Sequence, residues 1–269
     1  MSEIGVCIET FFSDLDYEKR IERIYRIGFK SYEFWFHNAR FDGKKLIDEP
    51  KDFDMIAELN EKFNLKVSDF VFNHPDGGIM ASLIDKHDRN KILDNLEEMI
   101  SFAKKLDCKQ LISASGNKKK DIGKEEAIEN MIETLLLTMK ICEREDITLL
   151  LEPWNTKVDH PDCFLDDPEI ALKVLKEVNH KNAKMLYDIY HMQIMKGNVT
   201  SFIQENIQYI GHFHIAGVPG RNEPVNCELN YQYIVREIDK TGYKGLIGLE
   251  YWPTMDHKES LKKTMTLFK

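Results

Sequence analysis

The sequence predicts a single (β/α)8 barrel, a TIM barrel, that spans residues 1 to 269. Two observations favour this fold: short apolar runs alternate with longer amphipathic segments eight times, and no linker rich in Gly, Ser or Pro interrupts them. Alternation of this kind builds parallel sheets with helices packed on them. A doubly wound open sheet is the alternative, but no G-x-G-x-x-G motif follows the first strand.

The first half of the chain contains four predicted strands. Asp14 or Asp16 can begin the first helix, whose isoleucines recur at helical spacing until Gly28 ends it. The strands are EIGVCIE (3–9), KSYEFWF (30–36), LKVSDFVF (65–72) and QLISAS (110–115). A polar loop follows the second strand, and the later helices are predicted over 51–63, 87–106 and 124–145.

The second half repeats this order with clearer strands. The run ITLLLE (147–152) is continuously apolar up to its last residue, which is typical of a parallel strand buried on both faces. The remaining strands are AKMLYDI (183–189), YIGHFHIA (209–216) and GLIGLEY (245–251). Helices are predicted over 167–178, 199–207, 230–241 and 257–267.

Composition limits the classes of function. The chain has 37 basic and 46 acidic residues, a formal net charge of −9, which disfavours a surface that binds nucleic acid. A small-molecule partner is therefore expected, and a homo-oligomer is compatible with the sequence. Five scattered cysteines without a C-x-x-C motif indicate reduced thiols and a cytoplasmic protein. Neither a signal peptide nor a membrane-spanning segment is recognisable, so no contact with a membrane is expected.

The candidate site lies where the last four strands end. Glu152 ends the fifth strand, Asp188 the sixth and Glu250 the eighth, while His214 lies near the end of the seventh. In barrels of this type the active site is at the carboxyl ends of the strands. A single acid there is commonly a helix cap or an ion pair, but four such residues on consecutive strands indicate a site.

Three neighbouring carboxylates predict a divalent metal ion. Like charges disfavour ionisation of one another, and a cation removes that repulsion. One imidazole and three carboxylates suit Mn²⁺, Mg²⁺, Co²⁺ or Zn²⁺, and the many oxygens favour Mn²⁺ or Mg²⁺.

Two further histidines lie close in the sequence to the candidate ligands. His212 shares the strand face of His214 but lies one layer deeper, so we expect a hydrogen-bonded core histidine there. His191 follows Asp188 by three residues. It can either meet a substrate oxygen beside the metal or cap the loop, and the sequence leaves both open.

Five motifs between residues 149 and 253 carry a family resemblance. They are LLLEPWN (149–155), YDIYHMQIMKGN (187–198), GHFHIAGVPGRNEP (211–224), ELNY (228–231) and GYKGLIGLEYWP (242–253). In order and spacing they resemble the hydroxypyruvate isomerases of the xylose isomerase-like barrel superfamily. The first half is similar only in its βα order and in stretches such as FVFN. The resemblance implies that Glu152 and Glu250 are proton donor and acceptor, and that Glu152, Asp188, His214 and Glu250 bind the metal.

The implied reaction converts hydroxypyruvate to tartronate semialdehyde through an enediolate, and 2-oxotetronate is a related substrate. The metal would act as a Lewis acid on the substrate oxygens. Arg221, in the turn after the seventh strand, is the candidate anchor for the substrate carboxylate, because a guanidinium binds carboxylates bidentately. An exposed loop arginine is the alternative.

Two departures from the family pattern keep other functions open. Hydroxypyruvate isomerases mostly carry glutamine at the position of His214, whereas ketose 3-epimerases carry histidine, and the family stretch HEPGTGE is NEPVNCE here (222–228). This second departure is expected to affect the substrate pocket. The alternatives are a ketose 3-epimerase or other keto-sugar isomerase, a metal-dependent apurinic endonuclease, and a non-catalytic binder of sugar acids. The net charge of −9 disfavours the endonuclease.

Overall fold

The fold is a closed barrel of eight parallel strands in which each strand lies beside its neighbours in the sequence. The structure is a computed structural model that describes residues 2–36, 40–41, 45–48, 51–73 and 81–268. The first strand pairs with both the second and the last, which closes the ring. The predicted (β/α)8 barrel is confirmed, and the assignment of residues 1 to 269 to one domain stays a prediction.

The strands and helices follow the predicted order. The barrel strands are β1 (Glu3–Cys7), β2 (Ser31–Trp35), β3 (Lys66–Asn73), β4 (Gln110–Ala114), β5 (Thr148–Glu152), β6 (Ala183–Asp188), β7 (Ile210–Ile215) and β8 (Leu246–Leu249). The α-helices of the described residues are α1 (Tyr17–Ile27), α2 (Phe53–Phe63), α3 (Arg89–Lys105), α4 (Lys124–Glu145), α5 (Pro168–Val178), α6 (Ile189–Met195), α7 (Val199–Asn206), α8 (Tyr231–Lys240) and α9 (His257–Thr264). Within these ranges, no helix combines the length and apolar character that a membrane span requires.

Two segments differ from the prediction. In the predicted polar loop after β2, residues 40–41 and 45–48 include a short antiparallel pair, Arg40–Phe41 with Leu46–Asp48. The rest of that loop, residues 37–39, 42–44 and 49–50, lies outside the described residues. Helix α6 is the second difference, because the sequence predicts only a loop there.

Helix α1 shows how local sequence sets the boundaries of these elements. Asp16, one of the two predicted capping residues, accepts a hydrogen bond from the backbone N–H of Lys19. Gly28 ends the helix with a φ of 113°, a conformation that glycine adopts without steric cost. Ile21 and Ile24 are buried between these ends and pack against the barrel core.

The barrel interior has an apolar part and a polar part. Residues two apart on a strand face the same side, so the interior side of β5 carries Leu150 below Glu152, and that of β6 carries Leu186 below Asp188. Leu150 and Leu186 pack together in a small buried cluster. On β2, β3 and β7 the corresponding buried positions are polar: Glu33, Asp69 and His212.

Gly248 on β8 makes room for one of these polar groups. A Cβ atom at this position would lie 2.3 Å from Oε1 of Glu33, closer than any real contact. The absence of a side chain at Gly248 therefore leaves the space that the Glu33 carboxylate occupies.

Candidate metal centre

The four predicted metal ligands meet at one rim of the barrel. Glu152 and Asp188 are the last residues of β5 and β6, His214 is the last but one of β7, and Glu250 directly follows β8. Strand register places His214 beside Asp188 on one side and Gly248 on the other. The side chains are buried, and one ligand atom from each lies within 4.8 Å of the others. This group can hold a metal ion.

His214 presents one ring nitrogen to the rim and the other to the barrel interior. Its Nδ1 lies 3.3 Å from Glu250 Oε2 and 3.8 Å from Glu152 Oε1. Its Nε2 lies 3.0 Å from Oε1 of Glu33. Only Nδ1 therefore faces the carboxylates of the predicted site.

Burial and neighbouring charges shift the pKa values of the carboxylates at the rim. Burial raises the pKa of Asp188 to about 7, against the lowering effect of Arg221 and His214. Burial also disfavours the ionised form of Glu250, but the charges of Arg221 and His214 outweigh it and hold that pKa well below its usual value. The charges of Arg221 and His214 therefore stabilise the ionised forms of these carboxylates, as a bound divalent cation also would.

Arg221 contacts the carboxylates directly. Its Nη2 lies 2.5 Å from Glu250 Oε2 and 3.9 Å from Asp188 Oδ2. The guanidinium lies over the ring of Tyr190, 5.4 Å from its centroid, and the Nε atom is buried without a hydrogen bond. The side chain is 14% exposed, so it does not have the geometry of an exposed loop arginine.

A tight turn holds the backbone of Arg221. Its N–H donates to the carbonyl of Gly217, its own carbonyl accepts from the N–H of Trp252, and its φ is 55°. The stretch 222–228, which departs from the family pattern, was expected to affect the substrate pocket. None of its residues is among the described residues that line the cavity. Instead, Glu223 accepts hydrogen bonds from Thr254 and Ser260, which ties this stretch to α9.

His191 lies on α6 beside Asp188, and it is fully buried. Asp188 begins this helix by accepting hydrogen bonds from the backbone N–H groups of Tyr190 and His191. The Nε2 atom of His191 lies 3.4 Å from Asp188 Oδ2, and its Nδ1 lies 2.6 Å from the amide nitrogen of Asn155. Burial and the charge of Arg221 lower the pKa of His191 well below its usual value, so the ring is neutral.

A cavity of about 170 Å³ lies beside the candidate ligands Glu152 and Glu250. The described residues that line it are Trp35, Val71, Glu152, Trp154, His160, His191, Arg221 and Glu250. Pockets for drug-sized ligands measure about 300–1,000 Å³, so this one suits a smaller molecule.

Comparison with known proteins identifies the family. The sequence model described as xylose isomerase-like TIM barrel matches residues 21–269. The chain belongs to this family. The hydroxypyruvate isomerase of Escherichia coli is 29% identical to this xylose isomerase-like protein over 266 residues, which is 97% of this chain and 98% of the relative.

Two other similarities point to the same family. A 2-oxo-tetronate isomerase of Cupriavidus necator is 41% identical over 122 residues, 45% of this chain and 46% of the relative. A crystal structure from Brucella melitensis, described as an AP endonuclease of family 2, has a TM-score of 0.88 and 27% identity over 99% of each chain. With relatives named hydroxypyruvate isomerase and 2-oxo-tetronate isomerase, this xylose isomerase-like protein is an isomerase.

The structure adds site residues that the sequence did not predict. Trp35 donates its indole N–H to Glu250 Oε1 over 2.9 Å, and Asn155 orients His191. Trp154 packs on His160 with ring centroids 4.3 Å apart, and both line the cavity. The motif LLLEPWN contains Trp154 and Asn155, so their position just after a strand-end glutamate was an available signal.

A buried polar network lies beneath the rim. The Nε2 atom of His212 lies 2.9 Å from Glu33 Oε2 and 3.5 Å from Asp69 Oδ2, and all three residues are fully buried. Burial raises the pKa of Asp69 to about 7, although the charge of His212 opposes this. For Glu33, His214 and His212 outweigh burial and lower the pKa to about 2, so this carboxylate is ionised.

Proposed function

We propose that this protein is a divalent-metal-dependent isomerase of a small hydroxy-keto acid, with hydroxypyruvate, which gives tartronate semialdehyde, as the first choice and 2-oxotetronate as the second. The observation that carries the proposal is the convergence of Glu152, Asp188, His214 and Glu250 at one rim, beside a small cavity that Glu152, Glu250 and Arg221 line. The names of the relatives from E. coli and C. necator support the same substrates.

The proposed ligands of the metal are Glu152, Asp188, His214 and Glu250. Three carboxylates and one imidazole form an oxygen-rich donor set, which favours Mn²⁺ or Mg²⁺ over Co²⁺ or Zn²⁺. Bound there, the ion supplies Lewis acidity to adjacent substrate oxygens.

Glu152 and Glu250 are the proposed proton donor and acceptor. One of them removes the proton from C3 of hydroxypyruvate, and the proton of the C3 hydroxyl passes to the oxygen on C2. The other glutamate then donates a proton to C2, so the C2 carbonyl becomes a hydroxyl and C3 becomes the aldehyde carbon. The first glutamate releases its proton and the second takes one up, by exchange with water, before the next turnover. Such positioned proton transfer contributes about 10²–10⁴-fold to a rate.

Arg221 is the proposed anchor for the substrate carboxylate. In the structure its guanidinium is engaged by Glu250, and its Nε has no hydrogen bond. A substrate carboxylate that binds this guanidinium partly neutralises its charge. The pKa of Glu250 then rises, which makes Glu250 a stronger base when substrate is bound.

His191 is proposed to hold a substrate oxygen. The carbonyl oxygen of Asn155 accepts from the N–H groups of Val158 and Asp159, which turns its amide nitrogen toward Nδ1 of His191. Nδ1 therefore accepts a hydrogen bond, and the proton of the neutral ring is on Nε2, beside Asp188. From there it can be donated to an oxygen of the substrate.

A ketose 3-epimerase is the second candidate, because histidine occupies position 214, as in those enzymes. Purified protein freed of metal and then loaded with Mn²⁺, Mg²⁺, Co²⁺ or Zn²⁺ is assayed on hydroxypyruvate, 2-oxotetronate and free ketohexoses, with DNA containing an abasic site as a further substrate. We expect turnover of a keto acid with Mn²⁺ or Mg²⁺. Absence of turnover of both keto acids contradicts the proposal, and activity on ketohexoses alone supports the epimerase.

Glutamine variants test the roles of the two glutamates. Glu152→Gln and Glu250→Gln should each lower kcat by about 10²–10⁴-fold. Glu237→Gln is the matched control, since Glu237 is a buried glutamate on α8 that pairs with Lys240 and Gln204 and does not line the cavity. If both site variants keep full activity, the assignment of the proton donor and acceptor is wrong.

A further inference from the structure

Glu33 joins two histidines through one carboxylate at the centre of the barrel. Its Oε1 lies 3.0 Å from Nε2 of His214, and its Oε2 lies 2.9 Å from Nε2 of His212. The two imidazole rings are nearly perpendicular, at 86°, with centroids 5.1 Å apart. Glu33 is 2% exposed, and it lies beneath the candidate metal ligands without lining the cavity.

The two nitrogens of His214 therefore have different neighbours. Carboxylate oxygens accept hydrogen bonds, so a hydrogen bond across the 3.0 Å between Nε2 of His214 and Oε1 of Glu33 requires the proton on Nε2. In a neutral imidazole the other nitrogen, Nδ1, then has a free lone pair, and Nδ1 is the atom that faces Glu152 and Glu250. The distance to Glu33 is in hydrogen-bond range, although the N–H direction is not aligned with Oε1 in this geometry.

We infer that Glu33 is a positioning residue of the metal centre, which keeps His214 in the tautomer with the proton on Nε2 and directs Nδ1 to the ion. The inference rests on the proposed function, because it assumes that His214 is a ligand. Histidine ligands commonly donate their second N–H to a carboxylate, which fixes the ring and makes it a better ligand.

The same geometry disfavours a second metal ion among Glu33, Asp69, His212 and His214, which also lie close together. An ion on Nε2 of His214, together with one on Nδ1, would require the ring to lose both of its protons. A hydrogen bond from Nε2 to Glu33 would instead leave the ring neutral, with Nδ1 free for one ion. The space that Gly248 leaves for Oε1 of Glu33 allows the carboxylate to sit directly beneath His214.

Metal affinity of the Glu33→Gln variant tests the inference. Glutamine keeps the shape of Glu33 but turns an N–H₂ group toward one of the two imidazoles, so one ring loses its acceptor. We expect the Kd for Mn²⁺, measured by titration calorimetry of the metal-free protein, to rise about 10- to 100-fold. Asp69→Asn is the control: Asp69 is equally buried and contacts His212, and its Kd should stay within about threefold of wild type.

The tautomer itself is measured on the wild-type chain, which keeps the test decisive if Glu33→Gln fails to fold. In ¹⁵N-histidine NMR spectra of the Zn²⁺-loaded protein, His214 should carry its proton on Nε2. A proton on Nδ1, an unchanged Kd in a folded Glu33→Gln variant in which His214 is the ring that has lost its acceptor, or two bound ions of which that variant loses one would each overturn the inference. If wild type binds no ion, the proposed function fails and this inference fails with it.

Discussion

Glu250 contacts three groups that act on it in different ways. The indole N–H of Trp35 binds one of its oxygens, while Arg221 and Nδ1 of His214 approach the other. The two charged neighbours lower its pKa, which makes it a weak base until one of them is engaged elsewhere. Because Arg221 is both such a neighbour and the proposed anchor of a substrate carboxylate, substituting it should distinguish acid substrates from neutral ones.

Replacing Arg221 by lysine should discriminate between acid and neutral substrates. Lysine keeps the charge but loses the planar fork, so kcat/KM for a keto acid should fall about tenfold or more, mainly through KM. Activity on a neutral ketose should change little. Steady-state kinetics of Arg221→Lys measure this, with the exposed Arg144→Lys as control. Equal KM values for the keto acid in wild type and variant would contradict the anchoring role.

Asp69 should make the metal-free protein less stable as the pH rises. Its pKa is about 7 in the folded protein, above its value in the unfolded chain. Between about pH 4 and 7 the unfolded chain therefore loses this proton while the folded protein keeps it, and the free energy of unfolding falls as the pH rises. Asp69→Asn removes this loss, and its advantage over wild type should grow by at most about 1.4 kcal/mol per pH unit. Denaturant unfolding at pH 5 and pH 8 measures it; an equal difference at both pH values would contradict the expected pKa.

The sequence predicted the residues of the rim and a hydrogen-bonded core histidine, His212, below it, but not the carboxylates that contact this histidine. Glu152, Asp188 and Glu250 were recognisable because strand ends in a barrel meet at one rim. Glu33 and Asp69 lie inside apolar strands, where a carboxylate needs a partner, and that signal was present in KSYEFWF and LKVSDFVF. The partner itself, His212 on β7, could not be deduced, since the pairing depends on side chains that cross the barrel interior.

Helix α6 depends on Asp188, which has two functions in the structure. One oxygen, Oδ1, accepts the backbone N–H groups that begin the helix, and the other, Oδ2, faces His191 and Arg221. The carboxylate is thus oriented by the helix that follows it. Because α6 has only seven residues and directly follows a strand, its apolar pattern is too short to separate from that of the strand, and the sequence predicted a loop.

Two variants of Asp188 separate the cap from the charge. Asn and Ala both remove the negative charge, but Asn still accepts the capping hydrogen bonds. In the metal-free protein, Asp188→Ala should therefore be less stable than Asp188→Asn by about 0.5–2 kcal/mol. Urea unfolding measures the difference, and the same pair at Asp16, which begins α1, is the control. Equal stability of the two Asp188 variants would show that the cap contributes nothing.

For the molecule as a whole, the metal should stabilise the fold. The proposed ligands come from β5, β6 and β7 and from the residue after β8, so an ion bound to them links half of the ring. At a concentration of 100 Kd a ligand adds about 2.7 kcal/mol, which corresponds to a rise in Tm of roughly 5–10 °C. Thermal unfolding with increasing Mn²⁺ measures it, and EDTA should reverse the shift. A Tm that does not depend on Mn²⁺ concentration would contradict the metal site.

The barrel was predictable because its information is local. Alternating strands and helices, caps such as Asp16 and stops such as Gly28 are all read within a few neighbours along the chain. Closure of the ring between β1 and β8 follows from the number of units. The sequence placed Arg221 in a turn but did not predict its burial, which depends on a contact with Trp252 in a separate loop as well as on the local hydrogen bond to Gly217.

Gly248 has a consequence for how this sequence can vary. Any side chain at this position would occupy the volume of the Glu33 carboxylate, 2.3 Å away from its oxygen. The two positions lie 215 residues apart in the chain, yet a side chain at 248 requires the Glu33 carboxylate to move. Chimaeras that join the second and last strands of different relatives must therefore keep residues at positions 33 and 248 that fit together.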